Sequence, residues 1–351
     1  MEEFVSRILS VDAATSELII FSALKIGIVF AVLMTMVAYS VMAERRISAW
    51  IQDRVGPNRV GWQGILQPAA DGLKSFLKED FTPNHVRKAY FWLAPAITLI
   101  PALLTVAVIP FGSQIGNQQM VIANLNVGIL YTFGIVSLGV YGIVLAGYAS
   151  NSKYPFLGGI RSSAQMISYE IAMGLSVIPI FMLVGDLNLS EVVDYQTHFG
   201  WNIWKQPLAF VIFLVAAFAE TNRLPFDLPE SETELVGGYN TEYSSMKFAL
   251  FFMGEYANMI TSSAMMVTLF FGGWSLPFAG FNEPANALII GFFHIGIFIA
   301  KMLLFMVFFI WIRWMFPRFR YDQLMDLGWR RFIPVALANI LLTAVVLWLR
   351  A

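Results

Sequence analysis

The sequence predicts an all-α, polytopic membrane protein with about eight transmembrane helices and amphipathic surface helices on its cytoplasmic side. Three observations predict it. Of 351 residues, 58% are hydrophobic and only 13% charged, about half the charged share of an ordinary soluble domain. The apolar residues gather into runs that match a bilayer core, which is about 30 Å thick and takes roughly 20 helical residues to cross. The basic residues gather in alternate connections between those runs, as they do when one side of a membrane holds them.

The runs fall at approximately 18–42, 91–112, 127–149, 165–185, 203–219, 246–272, 287–312 and 332–349, in a single membrane domain covering 1–351. The fifth is the weakest, because Lys205 and Pro207 crowd its start. An even number of crossings puts both termini on one side. Connections 43–90, 150–164, 220–247 and 313–331 hold seventeen Lys and Arg, against Arg7, Lys205 and Arg350 on the opposite side. The basic connections are therefore expected in the cytoplasm, or its matrix equivalent, with both termini facing away. The N-terminal MEEFVSRILSVDAATSE leans acidic and shows no small-residue cleavage site, so a cleaved signal peptide is not expected.

Connection 43–90 is more than a linker. Ile47, Trp50, Ile51 and Val55, then Leu66, Leu73, Phe76 and Leu77, recur at helical spacing among charges. The stretch Arg54-Val-Gly-Pro-Asn-Arg-Val-Gly61 interrupts them, as Gly-Pro does. Two interfacial amphipathic pieces around a tight turn are expected. They could float in the headgroup layer or wall a pocket at the membrane surface, and spacing alone leaves both open.

Connection 220–247 runs on into the sixth span, and Glu220 to Glu255 holds seven carboxylates: Glu220, Asp227, Glu230, Glu232, Glu234, Glu242 and Glu255. Only Arg223 and Lys247 balance them. Pro225 and Pro229 prevent one continuous helix, and Gly237-Gly238 adds a flexible point. Arg223 and Phe226 beside Asp227 form a polar and aromatic set suited to line a headgroup pocket. A solvated acidic loop is the plainer alternative.

Ionisable groups inside the spans are Lys25, Glu170, Glu255, His294 and Lys301. Each charge near a helix centre costs about 2.5–3.5 kcal/mol on insertion scales, so such groups face a bundle interior or a wet cavity. Glu170 and Glu255 lie roughly 9 and 13 Å below the cytoplasmic ends of their spans at 1.5 Å per residue, and Glu220 marks the end of the fifth. Pairing within the bundle, for example Glu255 with Lys301, would account for any one of them. A graded series continuous with an acidic loop fits better with a hydrated proton or cation path, because neighbouring carboxylates raise each other's pKa and share protons. Lys301, near the middle of its span and placed with this path, shares a helix face with His294, seven residues away. Lys25, nearer the outer end, can snorkel.

The chain contains no cysteine and three scattered histidines, which excludes iron–sulfur ligation and disulfides in this chain and gives no metal site. No dinucleotide or phosphate-loop fingerprint is present. The chain therefore carries no redox centre and no catalytic residue of its own, and nothing in it suggests nucleic acid as a partner.

Four long stretches resemble one family: AERRISAWIQDRVGPNRVGWQGILQPAADGLKSFLKED at 43–80, GYASNSKYPFLGGIRSSAQMISYEIA at 147–172, AETNRLPFDLPESETELVGGYNTEYSSMKFALFFMGEYANM at 219–259 and WIRWMFPRFRYDQLMDLGW at 311–329. The chain resembles the quinone-chamber membrane component of respiratory complex I. That is the H subunit of bacteria and the first mitochondrially encoded subunit of eukaryotes. The resemblance implies eight or nine helices at the foot of a peripheral electron-transfer arm in a proton-translocating NADH:quinone oxidoreductase. It implies a bound quinone, ubiquinone or menaquinone, that enters beside the first span and the amphipathic segment. It implies that FMN and iron–sulfur clusters sit in partner subunits. Those partners are the other membrane-arm and peripheral-arm subunits, including those flanking the quinone site and the terminal iron–sulfur cluster.

Residue by residue, the family pattern puts Glu44, Arg45, Arg46, Asp71 and Lys74 along the quinone passage, with Arg223, Phe226 and Asp227 where the acidic loop meets the cavity. It puts Glu230, Glu232 and Glu234, with Glu170, Glu220 and Glu255, on a polar path toward the axis of the membrane arm, and 313–331 where peripheral subunits dock. The expected location is a bacterial inner membrane, in preference to the mitochondrial one. The alternatives are the equivalent component of a membrane-bound hydrogenase or formate hydrogenlyase, a stand-alone transporter and a structural anchor. The intact 43–80 block and full acidic loop argue against the first. No paired broken helices speak for the second, and the third leaves acids at depth unexplained.

Overall fold

A computed structural model describes residues 13–115, 118–228, 237–277 and 288–350. Its α-helices longer than four residues, in chain order, are α1 (Ala13–Ile51), α2 (Gln67–Leu77), α3 (Lys88–Leu104), α4 (Gly128–Ala149), α5 (Lys153–Val184), α6 (Leu189–Phe199), α7 (Pro207–Glu220), α8 (Ser245–Phe270), α9 (Leu288–Met315), α10 (Tyr321–Asp326) and α11 (Ile333–Arg350). Strand among the described residues is confined to a short antiparallel pair, β1 (Gln114–Ile115) with β2 (Gln118–Gln119). The fold is all-α, and a helix occupies each of the predicted apolar runs.

Local chemistry sets the ends. Pro207 opens α7, where a missing backbone N–H is harmless. The Asn188 side chain accepts from the Ser190 N–H at 2.9 Å and caps α6. Gly185 closes α5 in the left-handed conformation, φ 85°. Among the described residues, six helical stretches are long and apolar enough to cross a membrane: α1, α3 with its 3₁₀ extension, α4, α5, α9, and α10 to α11 taken together. α7, at 14 residues, rises only about 21 Å, and α8 is long enough but diluted by Lys247, Glu255, Asn258 and Thr261 to Ser263.

Two boundaries differ from the sequence expectation. α1 does not stop near 42 but runs to Ile51, because nothing breaks a helix before Gly56-Pro57. The first of the two expected surface pieces is thus the end of α1, and only the second is a separate amphipathic helix, α2. α5 begins at Lys153 instead of 165, so the basic connection 150–164 is largely helical.

α5 and α8 hold the centre. α3 packs on α4 and α8, α4 on α5, α7 and α11 on α5, and α1 and α9 on α8. Tyr169, Phe213, Met259, Met266 and Phe270 are among the side chains buried between them. Gly158 of α5 lets the returning arm of the acidic loop come close: a Cβ there would stand 2.8 Å from the Tyr239 nitrogen. The outward faces of α1, α9 and α11 are apolar and exposed, with Leu24, Ile28, Leu304 and Leu341 among them.

Candidate functional site

Where α1 overruns its apolar stretch, its pattern inverts. Trp50 and Ile51 point outward, while Glu44 and Ser48 are buried. Glu44 meets Arg223, which the turn after α7 delivers. Arg223 donates from Nη1 to both Glu44 oxygens at 3.1 and 3.2 Å, and its Nε lies 2.7 Å from Glu255 Oε1 on α8. The Tyr256 hydroxyl donates to Glu44 Oε2 at 2.6 Å, with the Arg223 guanidinium 4.4 Å from the Tyr256 ring centre. Arg313, in the last turn of α9 where a cation suits the helix dipole, pairs with Glu44 Oε1. Trp314 donates to the Ser48 hydroxyl at 2.8 Å.

This is a charge network in low dielectric. Glu44 is 7% exposed, Arg223 5% and Glu255 9%. The two arginines and two carboxylates sum to zero, which is how buried charges are tolerated. Burial alone would lower the Arg223 pKa, but the Glu255 and Glu44 carboxylates outweigh it and hold the guanidinium further above its ordinary value.

Gln165 of α5 positions the loop after α7. Its amide donates to the carbonyls of Ala219 at 2.7 Å and Phe226 at 2.9 Å. Phe226 packs between Tyr169 and Phe319, ring centres 5.5 and 5.4 Å away. Arg318 Nη2 lies 2.9 Å from Asp227 Oδ2. The loop's first arm is therefore fixed to α5 and to the 316–320 turn.

The deep carboxylates are partly brought together. Glu220 and Glu255 line one small cavity with Thr98, Asn222, Tyr239 and Asn258, with room for about one water. Glu170 is near enough to Glu220 for the two charges to repel. Glu230, Glu232 and Glu234 lie outside the described residues. On the α2 side, Arg45 Nη1 lies 2.6 Å from Asp71 Oδ2, Gln67 donates to Asp71 Oδ1 at 2.9 Å, Arg46 donates to the Gln63 carbonyl, and Lys74 is exposed. Arg45 and Asp71 are thus joined to each other, while Glu44 turns inward to Arg223.

Lys301 is not among the acids. Its ammonium donates to the carbonyls of Phe271 at 2.7 Å and Gly273 at 3.0 Å, just past the far end of α8, and stands 4.7 Å from the Trp201 ring centre. Glu255 pairs with Arg223, not with Lys301 as one pairing open to the sequence has it. His294 is fully buried, with Nδ1 2.7 Å from the Ser113 hydroxyl and its ring against Trp274. Lys25 bonds the Gln119 carbonyl at 2.9 Å.

Arg313, Arg318, Tyr256 and Gln165 belong to this site although the sequence does not single them out. Arg313 and Arg318 fall in the stretch expected to dock peripheral subunits. Their one available signal is an excess of arginine in the same basic layer as the acidic loop.

The NADH dehydrogenase family model matches residues 24–344. The H subunit of the NADH-quinone oxidoreductase of Flavobacterium psychrophilum is 50% identical over 342 residues, covering 95% of this chain and 99% of that one. An H subunit of the same enzyme from Cytophaga hutchinsonii is 50% identical over 322 residues, 90% of this chain and 93% of that one. One from Geobacter metallireducens is 52% identical over 334 residues, 93% and 96% respectively. With that likeness across nearly its whole length, the chain belongs to the NADH dehydrogenase family, the family of the H subunit of NADH-quinone oxidoreductase, the respiratory complex I.

Proposed function

We propose that this chain is the quinone-chamber membrane subunit of a proton-translocating NADH:quinone oxidoreductase and couples quinone reduction to proton movement through its carboxylates. The observation that supports this most is the buried Glu44–Arg223–Glu255 network. It ties the helix beside the amphipathic segment to the helix that carries the deep acid, so a change of charge at one end is felt at the other with little solvent screening.

Quinone, ubiquinone or menaquinone, enters between α1 and α2, along Glu44, Arg45, Arg46, Asp71 and Lys74, toward Arg223, Phe226 and Asp227. Its reduction and protonation alter the local charge. Arg223 redistributes its pairing between Glu44 and Glu255, and the proton occupancy of Glu255, Glu220 and Glu170 follows, with Glu230, Glu232 and Glu234 joining from the loop. Lys301, bonded to carbonyls beyond α8, acts in this scheme as a structural cation. With no cysteine in the chain, the electrons arrive from partners that hold FMN and iron–sulfur clusters. Those partners dock on the basic connections, which face the cytoplasm of a bacterial inner membrane while both termini face away.

The names of the relatives favour a quinone-linked enzyme over the hydrogenase alternative, and quinone that co-purifies with the assembled complex separates the two. The direct test replaces Glu220 or Glu255 by Gln in the assembled complex. Quinone-linked activity falls while NADH oxidation by ferricyanide persists. Wild-type coupled activity in both variants would sink the proposal.

A further inference from the structure

α2 is held by few contacts along its length. None of its residues is buried, and Leu73, Phe76 and Leu77 expose most of their side chains. Toward α1 its one ion pair among the described residues is Arg45–Asp71, an exposed contact of the kind that contributes little. At its other end the grip is of a different kind. The Ser245 hydroxyl lies 3.0 Å from the Ser75 carbonyl and 2.9 Å from that of Lys78, serving the last turn of α2, whose carbonyls have no helical partner. Two residues on, Lys247 is 5% exposed. Its ammonium donates to the Thr82 hydroxyl at 2.8 Å and pairs with Asp80 Oδ1 at 3.1 Å. It also stands 3.8 Å from the Trp92 ring centre, close enough for a cation–π contact. Glu242 lies 3.9 Å from His85 in the same region, and Tyr243 stacks on Phe91 with ring centres 4.0 Å apart.

We propose that Ser245 and Lys247 are positioning residues that clamp α2 and segment 78–86 to the head of α8, and so hold one wall of the quinone passage in register with Glu255. The geometry requires both residues. Ser245 holds the end of the helix and Lys247 the chain that leaves it, and each sits in the first turn of α8. Glu255 lies eight residues beyond Lys247 along that helix, about 12 Å, with no described break between. The ammonium is buried while Asp80 is partly exposed, so the tether lies in Lys247: its charge, out of water, depends on Asp80, the Thr82 hydroxyl and the Trp92 ring for compensation. The clamp itself rests on the contacts alone, whereas its effect on quinone rests on the reading of α2 given under Proposed function.

The test uses the assembled complex with Lys247→Met, Lys247→Arg and Ser245→Ala. Hydrogen–deuterium exchange in peptides covering 67–86 rises about tenfold in Lys247→Met, as expected when a charge-assisted bond no longer restrains local opening, and returns toward wild type in Lys247→Arg. The KM for a long-tailed quinone rises several-fold, with kcat little changed and NADH oxidation by ferricyanide unaffected. Ser245→Ala removes only the helix-end bonds and reports the same way if Lys247→Met does not assemble. Unchanged exchange in both variants overturns the clamp. Raised exchange with an unchanged quinone KM leaves the clamp standing but overturns its positioning role, and with it the assignment of α2 to the quinone passage.

Discussion

Arg223 Nε lies 2.7 Å from Glu255 Oε1, and its Nη1 reaches Glu44 on another helix at 3.1 Å, with every one of these side chains less than a tenth exposed. One guanidinium thus joins α1 to α8 through a loop residue. Removing it leaves two carboxylates in low dielectric, so Arg223→Met is expected to destabilise the subunit by about 3–5 kcal/mol, read as lower thermal stability and poorer assembly of the complex. The Glu255 and Glu44 carboxylates hold the Arg223 pKa above its ordinary value. A raised folded-state pKa gives stability that is complete below the unfolded value and lost only in strong alkali, so between pH 6 and about 9 the guanidinium gives no pH dependence of stability.

Glu220 and Glu255 line one cavity but are held differently. Glu255 is half of an ion pair, whereas Glu220, equally buried, faces the charge of Glu170. Glu255→Gln should cost stability in the same range as Arg223→Met, about 3–5 kcal/mol. Glu220→Gln should be near neutral or slightly stabilising, because it replaces a buried carboxyl beside another carboxylate with an amide of nearly the same shape. Thermal unfolding of the two purified variants side by side checks this ordering.

Gln165 satisfies two buried carbonyls of the loop, those of Ala219 and Phe226. Gln165→Leu fills similar space but leaves both acceptors without that donor, a loss of about 1–3 kcal/mol for each group. The loop carrying Arg223 should then shift. Reduced quinone-linked turnover together with faster exchange of amides in 219–228 is the expected signature.

Lys301 caps the chain that leaves α8. Lys301→Met should lower stability by about 1.5–3 kcal/mol per lost charged bond at most. Quinone-linked activity per assembled complex should stay near wild type, since the ammonium is far along α8 from Glu255. Activity normalised to intact complex after gentle solubilisation is the measurement.

The apolar runs are legible in the sequence because a bilayer imposes a length and a polarity that composition cannot hide, and helices occupy the predicted stretches. The deep acids are legible for the same reason. Less legible is which partner each acid takes. Glu44 and Arg223 are 179 residues apart in the chain, and nothing in local spacing links them. Arg313 looks like a surface charge because it follows an apolar run directly, yet a short reach back toward α1 puts it on Glu44. At the end of α1 the periodic signal comes from the apolar residues Ile47, Trp50 and Ile51. The face that packs inward there is the polar one, Glu44 and Ser48, and an apolar stripe cannot reveal a buried polar face. Gln165 and Tyr256 carry no signal, because single polar residues in apolar helices are common and only the fold shows what they touch.

In the proposed coupling, Glu255 of the Arg223 network and Glu220, which shares its cavity, link quinone reduction to proton movement. Proton uptake into inverted membrane vesicles, driven by NADH oxidation with a short-tailed quinone as acceptor, tests it in Glu220→Gln, the variant expected to leave the fold intact. The predicted result is quinone-linked uptake reduced to a small fraction of wild type, with ferricyanide-linked NADH oxidation retained. Wild-type proton uptake per quinone reduced in that variant would contradict it.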